Sequence, residues 1–268
     1  MAEVGILTAS DMKEELIDLF KRVLTVCLVV FLMVGAIFVA LPGTKAAEGD
    51  ADIRTLLDTL PMKGISYRYA DNNTNRNSHV WFSPALLLQD SRVFSGEMAK
   101  ASVALAMAAY TETDVDSLLA NMGFTAYENK DVYSRSNDLT LADNDHVAYT
   151  IAYQDVTHPV TGEVYRLYAV PVKGTTANAE WFSDLNIGTG AEHEGFKKAS
   201  TEVYNALKDT FAADGMDADH RILWLTGHSR GAACANLIAG WFSQDGTYAK
   251  AEHIFGYTYA CPGVSTNA

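Results

Sequence analysis

RILWLTGHSRGAACANLIAG, Arg221 to Gly240, sets a serine on a glycine-flanked turn between an apolar strand and a helix of small residues. Ile222 to Leu225 is a continuous apolar run, which a parallel strand buried on both faces requires, and Thr226 ends it. Gly227, His228, Ser229, Arg230 and Gly231 then fit GxSxG, whose glycines let the chain reverse while lifting the serine hydroxyl into the open. The helix continues from Gly231 to Trp241, and Ala232, Ala233, Ala235 and Ala239 let it lie close to a sheet. Its positive N-terminal end points at Ser229 and favours developing negative charge there. Five residues with three fixed are weak alone, so the strand before and the helix after carry the reading of a nucleophile elbow over that of a serine capping a helix.

Upstream, His146–Gln154 and Glu163–Val172 alternate as two strands of a hairpin, and the second leads into Lys173-Gly174-Thr175-Thr176. Gly195 to Phe211 places Phe196, Ala199, Val203, Leu207 and Phe211 on one helical stripe. Strand, helix and strand 222–226 form a right-handed crossover, and Glu252–Ala260 supplies the next strand. Sites in such sheets lie beyond the strands' carboxyl ends, so Lys173–Thr176 and Gly227–Gly231 should meet in space. Attack of Ser229 on an acyl carbonyl moves charge onto the carbonyl oxygen, which needs two donors about 3 Å away. Arg230 offers its backbone N–H, and Thr175 offers an N–H and a hydroxyl from the loop after an earlier strand.

GHSRG, together with KGTTANAEWFSDL at Lys173–Leu185, HEGF at His193–Phe196 and YACPGV at Tyr259–Val264, resembles the class 3, or fungal-type, lipase family of α/β-hydrolases. The resemblance runs from about Ala142 to the end. It implies a serine hydrolase of carboxylic esters with a Ser, Asp, His triad and Ser229 as nucleophile. It also implies that Thr175 supplies the oxyanion hole, that Asp184 orients the Thr175 hydroxyl and that Trp181 belongs to a flap over the site. Lys173 stands where the family has Arg, losing a bidentate fork. In this fold the triad runs Ser, acid, His along the chain, yet only 39 residues follow Ser229. Among them Asp245, Glu252 and His253 fall at the far end of a helix or the wrong end of a strand. His228 reads as a hydrogen-bonding residue and His193 as structural, with a base role left open. The expectation is the N-terminal portion of a longer hydrolase, with the competing reading a non-catalytic cell-surface binding domain or inactive fragment on the same scaffold.

The rest of the chain is read from composition. Val23–Leu41 is uncharged over 19 residues, with Lys21 and Arg22 before it. It reads as a transmembrane anchor or a long signal peptide, either of which places the remainder of the chain outside the cytoplasm. Residues 1–45 hold 5 acidic and 4 basic side chains, leaving 28 against 16, a surface of charge −12 that repels nucleic acid. Residues 48–140 read as mostly helical: Ile53–Leu60, Ser95–Tyr110 and Val115–Met122 with Gly123 as its cap, and Asp71–Ser78 as a polar loop. Asp143 to His146 reads as a turn rather than a calcium loop, and Cys234 and Cys261 as two buried thiols. The chemistry needs no metal or cofactor, and nothing speaks to oligomeric state. The expected fold is therefore an α/β-hydrolase-like sheet with flanking helices over 141–268, C-terminally incomplete, preceded by a membrane segment (1–45) and a helical region (48–140).

Overall fold

The computed structural model describes residues 61–71, 74–126, 133, 146–175 and 192–265, all within one compact unit, 48–268. The apolar segment at Val23–Leu41, the helix at Ile53–Leu60, the turn at Asp143–Asp145 and the flap at 176–185, with Trp181 and Asp184, lie outside the described residues. Among the described residues no helix is long and apolar enough to cross a membrane.

A hairpin comes first, β1 (Lys63–Asp71) and β2 (Thr74–Phe82). Its register, from Lys63 opposite Phe82 to Asp71 opposite Thr74, leaves two residues for the connection. The polar loop expected at Asp71–Ser78 is thus mostly strand, and residues 48–140 are not simply helical. The run DNNTNRNS hid the strand because Thr74–Asn77 face solvent and need no apolar residue. Helix α1 (Gly96–Ala108) starts where the Ser95 hydroxyl accepts the Met98 N–H at 3.2 Å. Helix α2 (Glu112–Asn121) ends at Gly123, whose φ of +94° suits a residue without Cβ.

The main sheet has the order β3-β4-β5-β6-β7. Its strands are β3 (Thr125–Ala126), β4 (Ala152–Thr157), β5 (Val164–Val172), β6 (Arg221–His228) and β7 (Ile254–Tyr259). β3, β4 and β5 pair antiparallel, while β5, β6 and β7 run parallel. The expected hairpin forms, but β4 is offset from 146–154: only Tyr149 bridges to Val172 before the regular ladder begins at Ala152. Crossover helix α3 (Glu194–Ala213) buries the stripe Phe196, Ala199, Val203, Leu207 and Phe211, and α4 (Arg230–Asp245) follows β6 directly.

The pleat of β6 decides the layers. Trp224 and Thr226 face α1: the indole N–H donates to Ser102 Oγ at 2.8 Å, and the Thr226 hydroxyl lies 3.1 Å from the Ser102 carbonyl. Phe82 stacks on Trp224 at 5.6 Å, which seats the hairpin on that side. The alternate residues Leu223 and Leu225 take the other face, where α4 lies with α3 against it through Phe211 and Phe242, 5.5 Å apart. One hydrophobic core therefore runs from Ile65 to Phe255, and no boundary separates residues before 140 from the sheet. Cys234 is buried in α4, but Cys261 is exposed: β7 stops at Tyr259, so the expected second buried thiol lies on coil rather than strand.

Candidate active site

The two loops expected to converge leave the carboxyl ends of neighbouring strands, and the β5–β6 register sets Val172 opposite Gly227. The turn after β6 is tight. Ser229 caps α4 with φ +54° and ψ −123°, a conformation that non-glycine residues occupy at a cost of about 1–3 kcal/mol. Its N–H donates to the Tyr259 carbonyl at 3.0 Å, so β7 helps hold the strained residue. Ala260, just past β7, also has positive φ, at 49°. Among the described residues these two are the only non-glycines of that kind, at the ends of adjacent strands.

The glycines of GHSRG do not themselves adopt left-handed conformations; they permit contact. A Cβ on Gly227 would lie 2.4 Å from the Gly231 carbonyl carbon, and one on Gly231 would lie 2.2 Å from the Val172 carbonyl oxygen. The start of α4 is thus pressed against the ends of β5 and β6, and the backbone distortion falls on the serine. Gly174 repeats the pattern from the other loop, since its Cβ would lie 2.7 Å from the His228 carbonyl oxygen. The chain just before Thr175 therefore abuts the chain just before Ser229.

Ser229 and Thr175 are partly exposed, whereas Lys173, Gly174 and the Arg230 side chain are buried. Arg230 is the first residue of α4, where backbone N–H groups point out of the helix start along its dipole. The Lys173 N–H donates to the Ala148 carbonyl at 2.8 Å, tying the loop back to the chain before β4. A serine on a strained turn, a helix N-terminus behind it and a second loop in contact form an arrangement able to present a nucleophile beside backbone donors. Among the described residues no three His, Cys, Asp or Glu side chains gather to hold a metal.

His228 is half-buried, and burial lowers its pKa, so the imidazole is neutral at pH 7. Its Nδ1 lies 2.7 Å from the Tyr110 hydroxyl. Tyr110 carries no spacing or motif signal in the sequence, and only the fold brings it here. His193 caps α3 with its ring stacked on Phe196 at 3.9 Å, and its backbone N–H donates to the Val264 carbonyl at 2.9 Å.

The acids and histidine after Ser229 sit where the sequence reading set them. Asp245 ends the 16-residue α4, roughly 24 Å along the axis from Ser229 at 1.5 Å per residue, and accepts the Tyr204 hydroxyl at 3.3 Å. Glu252 and His253 lie in the turn before β7, at the opposite end of that strand from Tyr259, which pairs with His228. Burial lowers the pKa of His253, and its ring meets Tyr165 edge-on at 5.7 Å.

Comparison with curated proteins gave no match. Among solved structures, one similar chain is a fungal lipase in an inhibitor complex, described as a model for interfacial activation. It is 16% identical over 54% of this chain and 67% of that chain, with a TM-score of 0.33. Another is a triacylglycerol lipase whose catalytic centre is a serine protease triad, again 16% identical over 54% and 67%, with a TM-score of 0.30. Residues 169–268, which hold the carboxyl end of β5, the Gly174–Thr175 loop, the elbow and β7, match the family model of lipase (class 3). Through that segment, about two-fifths of its length, the chain is similar to the class 3 lipase family.

Proposed function

We propose that the protein is a serine hydrolase of carboxylic esters, a lipase or esterase, acting through an acyl-Ser229 intermediate. The observation that carries this reading is the contact between Gly174 and the His228 carbonyl, which brings the loop of Thr175 against the turn that presents Ser229. Ser229 Oγ bonds to the ester carbonyl carbon, its proton passing to a general base. The carbonyl oxygen takes up charge between the N–H groups of Thr175 and Arg230. Collapse breaks the bond to the alcohol, which leaves with that proton, and water then releases the acid by the same route. Asp184 has the task of orienting the Thr175 hydroxyl. His228, bonded through Nδ1 to Tyr110, is not assigned as the base.

The substrate is an ester or lipid; the reaction calls for no cofactor, and the acidic surface disfavours nucleic acid. Residues 23–41 meet a membrane in this reading and place the catalytic part outside the cytoplasm, either anchored or secreted. Protease added to intact cells should then digest the region after residue 48; full protection would contradict that placement.

The rival reading is a non-catalytic binding domain on the same hydrolase scaffold. One experiment separates the two. A fluorophosphonate probe should label the full-length protein and spare Ser229→Ala; absent labelling, or equal labelling of both, would favour the binding domain.

A further inference from the structure

Between α1 and α2 the chain turns at Ala109, Tyr110 and Thr111, and this turn is held at several points. The Ala109 N–H donates to the Leu105 carbonyl at 2.9 Å, the Thr111 N–H donates to the Ala108 carbonyl at 3.1 Å, and the Tyr133 hydroxyl donates to the Ala109 carbonyl at 3.1 Å. Tyr110 therefore projects from a fixed base. Its hydroxyl lies 2.7 Å from His228 Nδ1, and the position a Cβ would take on Gly174 lies only 2.2 Å from the same oxygen and 2.9 Å from Cζ. One phenol thus touches the residue immediately before Ser229 and the residue immediately before Thr175.

A neutral imidazole and a phenol can share this bond with either as donor, and in both tautomers the 2.7 Å contact fixes the ring against Tyr110. The ring is held on one side by the turn after α1 and on the other by its own strand, β6, which ends at His228. At Gly174 the contact is steric: a Cβ there would occupy the hydroxyl's place.

We propose that Tyr110 is a positioning residue of the active site, its hydroxyl tying the Ser229 turn to the Thr175 loop through His228 and Gly174. This rests on the serine-hydrolase reading above. The role is geometric: Tyr110 fixes the spacing between nucleophile and oxyanion donors, a spacing that the transition state uses and substrate binding does not.

The test compares full-length wild type, Ser229→Ala and Tyr110→Phe. It measures fluorophosphonate labelling rate, kcat and KM on p-nitrophenyl butyrate, and Tm. Tyr110→Phe keeps the ring and removes only the hydroxyl. It should label at Ser229 about tenfold more slowly and lose kcat by about the same factor, with KM within about twofold and Tm within a few degrees of wild type. Labelling at the wild-type rate would overturn the proposal. So would a change confined to KM, or a loss of rate matched by loss of the folded state, which would make Tyr110 a stability residue. Wild type resisting the probe as Ser229→Ala does would instead overturn the hydrolase reading itself, and the positioning role with it.

Discussion

Ser229 carries the backbone distortion of its own turn, and that has a measurable side. Glycine tolerates φ +54° without penalty, so Ser229→Gly should raise stability by about 1 kcal/mol in urea unfolding while abolishing reaction with the probe. Unchanged or lowered stability would show that the turn is not strained. Gly231→Ala acts the other way: its methyl would meet the Val172 carbonyl at 2.2 Å, backbone against backbone, and should destabilise by about 1–3 kcal/mol. The same denaturation curves read both variants. At this scale GxSxG was fully legible, because a serine lifted on a reversing chain leaves a local pattern. The role of its glycines was not, since crowding between separate strands leaves no local mark. Tyr110 was not legible at all: 118 residues separate it from His228, and a lone tyrosine after an alanine-rich helix says nothing of where it points.

Among the elements, α3 and β6 are joined at the amino end of the sheet by a buried ion pair. Arg221 and Asp214 meet at 2.7 Å with side chains 3% and 0% exposed, and Asp214 also accepts the Tyr168 hydroxyl and the Met216 N–H. Burial alone would raise the Asp214 pKa, but the bonds from Arg221, Tyr168 and Met216 outweigh it and the carboxyl titrates below its usual value. A depressed carboxylate contributes stability that is present above the unfolded pKa of about 3.9 and is lost as pH falls through the folded value. Asp214→Asn, leaving Arg221 buried without its counter-charge, should cost about 3–5 kcal/mol at pH 7, with the difference from wild type shrinking in acid. A pH-independent difference would contradict the assignment. The crossover elements on either side of this pair were legible because each obeys one period: an apolar run for β6 and a stripe of five buried residues for α3. β2 was not, because its outer half is polar on both faces.

For the whole molecule, the burial of His228 and His253 sets a pH dependence of stability. Both imidazoles are held neutral by burial, so unfolding lets them take up protons once pH falls below the unfolded pKa of about 6.5. Their contribution is intact above that value and declines on acidification. His220, raised by its bond to Asp217, has the opposite sign but sits on the surface, where solvent and salt weaken it. The urea midpoint should therefore be lower at pH 5.5 than at pH 7.5, and an unchanged or higher midpoint at pH 5.5 would contradict this balance. The extent of the core was the part least visible in the sequence. A boundary near residue 140 looks natural where motifs begin, yet Trp224 packs against Phe82 and Phe124 and bonds to Ser102. Residues 141–268 expressed alone should lack a cooperative transition and bind a hydrophobic dye, since the α1 face of the sheet would be bare. A sharp thermal transition for that fragment would refute a shared core.

The central claim is that Ser229 and the Gly174–Thr175 loop face one hollow, and a crystal structure of the full-length protein bearing a phosphonate on Ser229 tests it most directly. The predicted result is a phosphoryl oxygen about 2.7–3.1 Å from the backbone N–H groups of both Thr175 and Arg230. An adduct whose oxygen is bonded to neither, or a phosphonate found on any other residue, would contradict it.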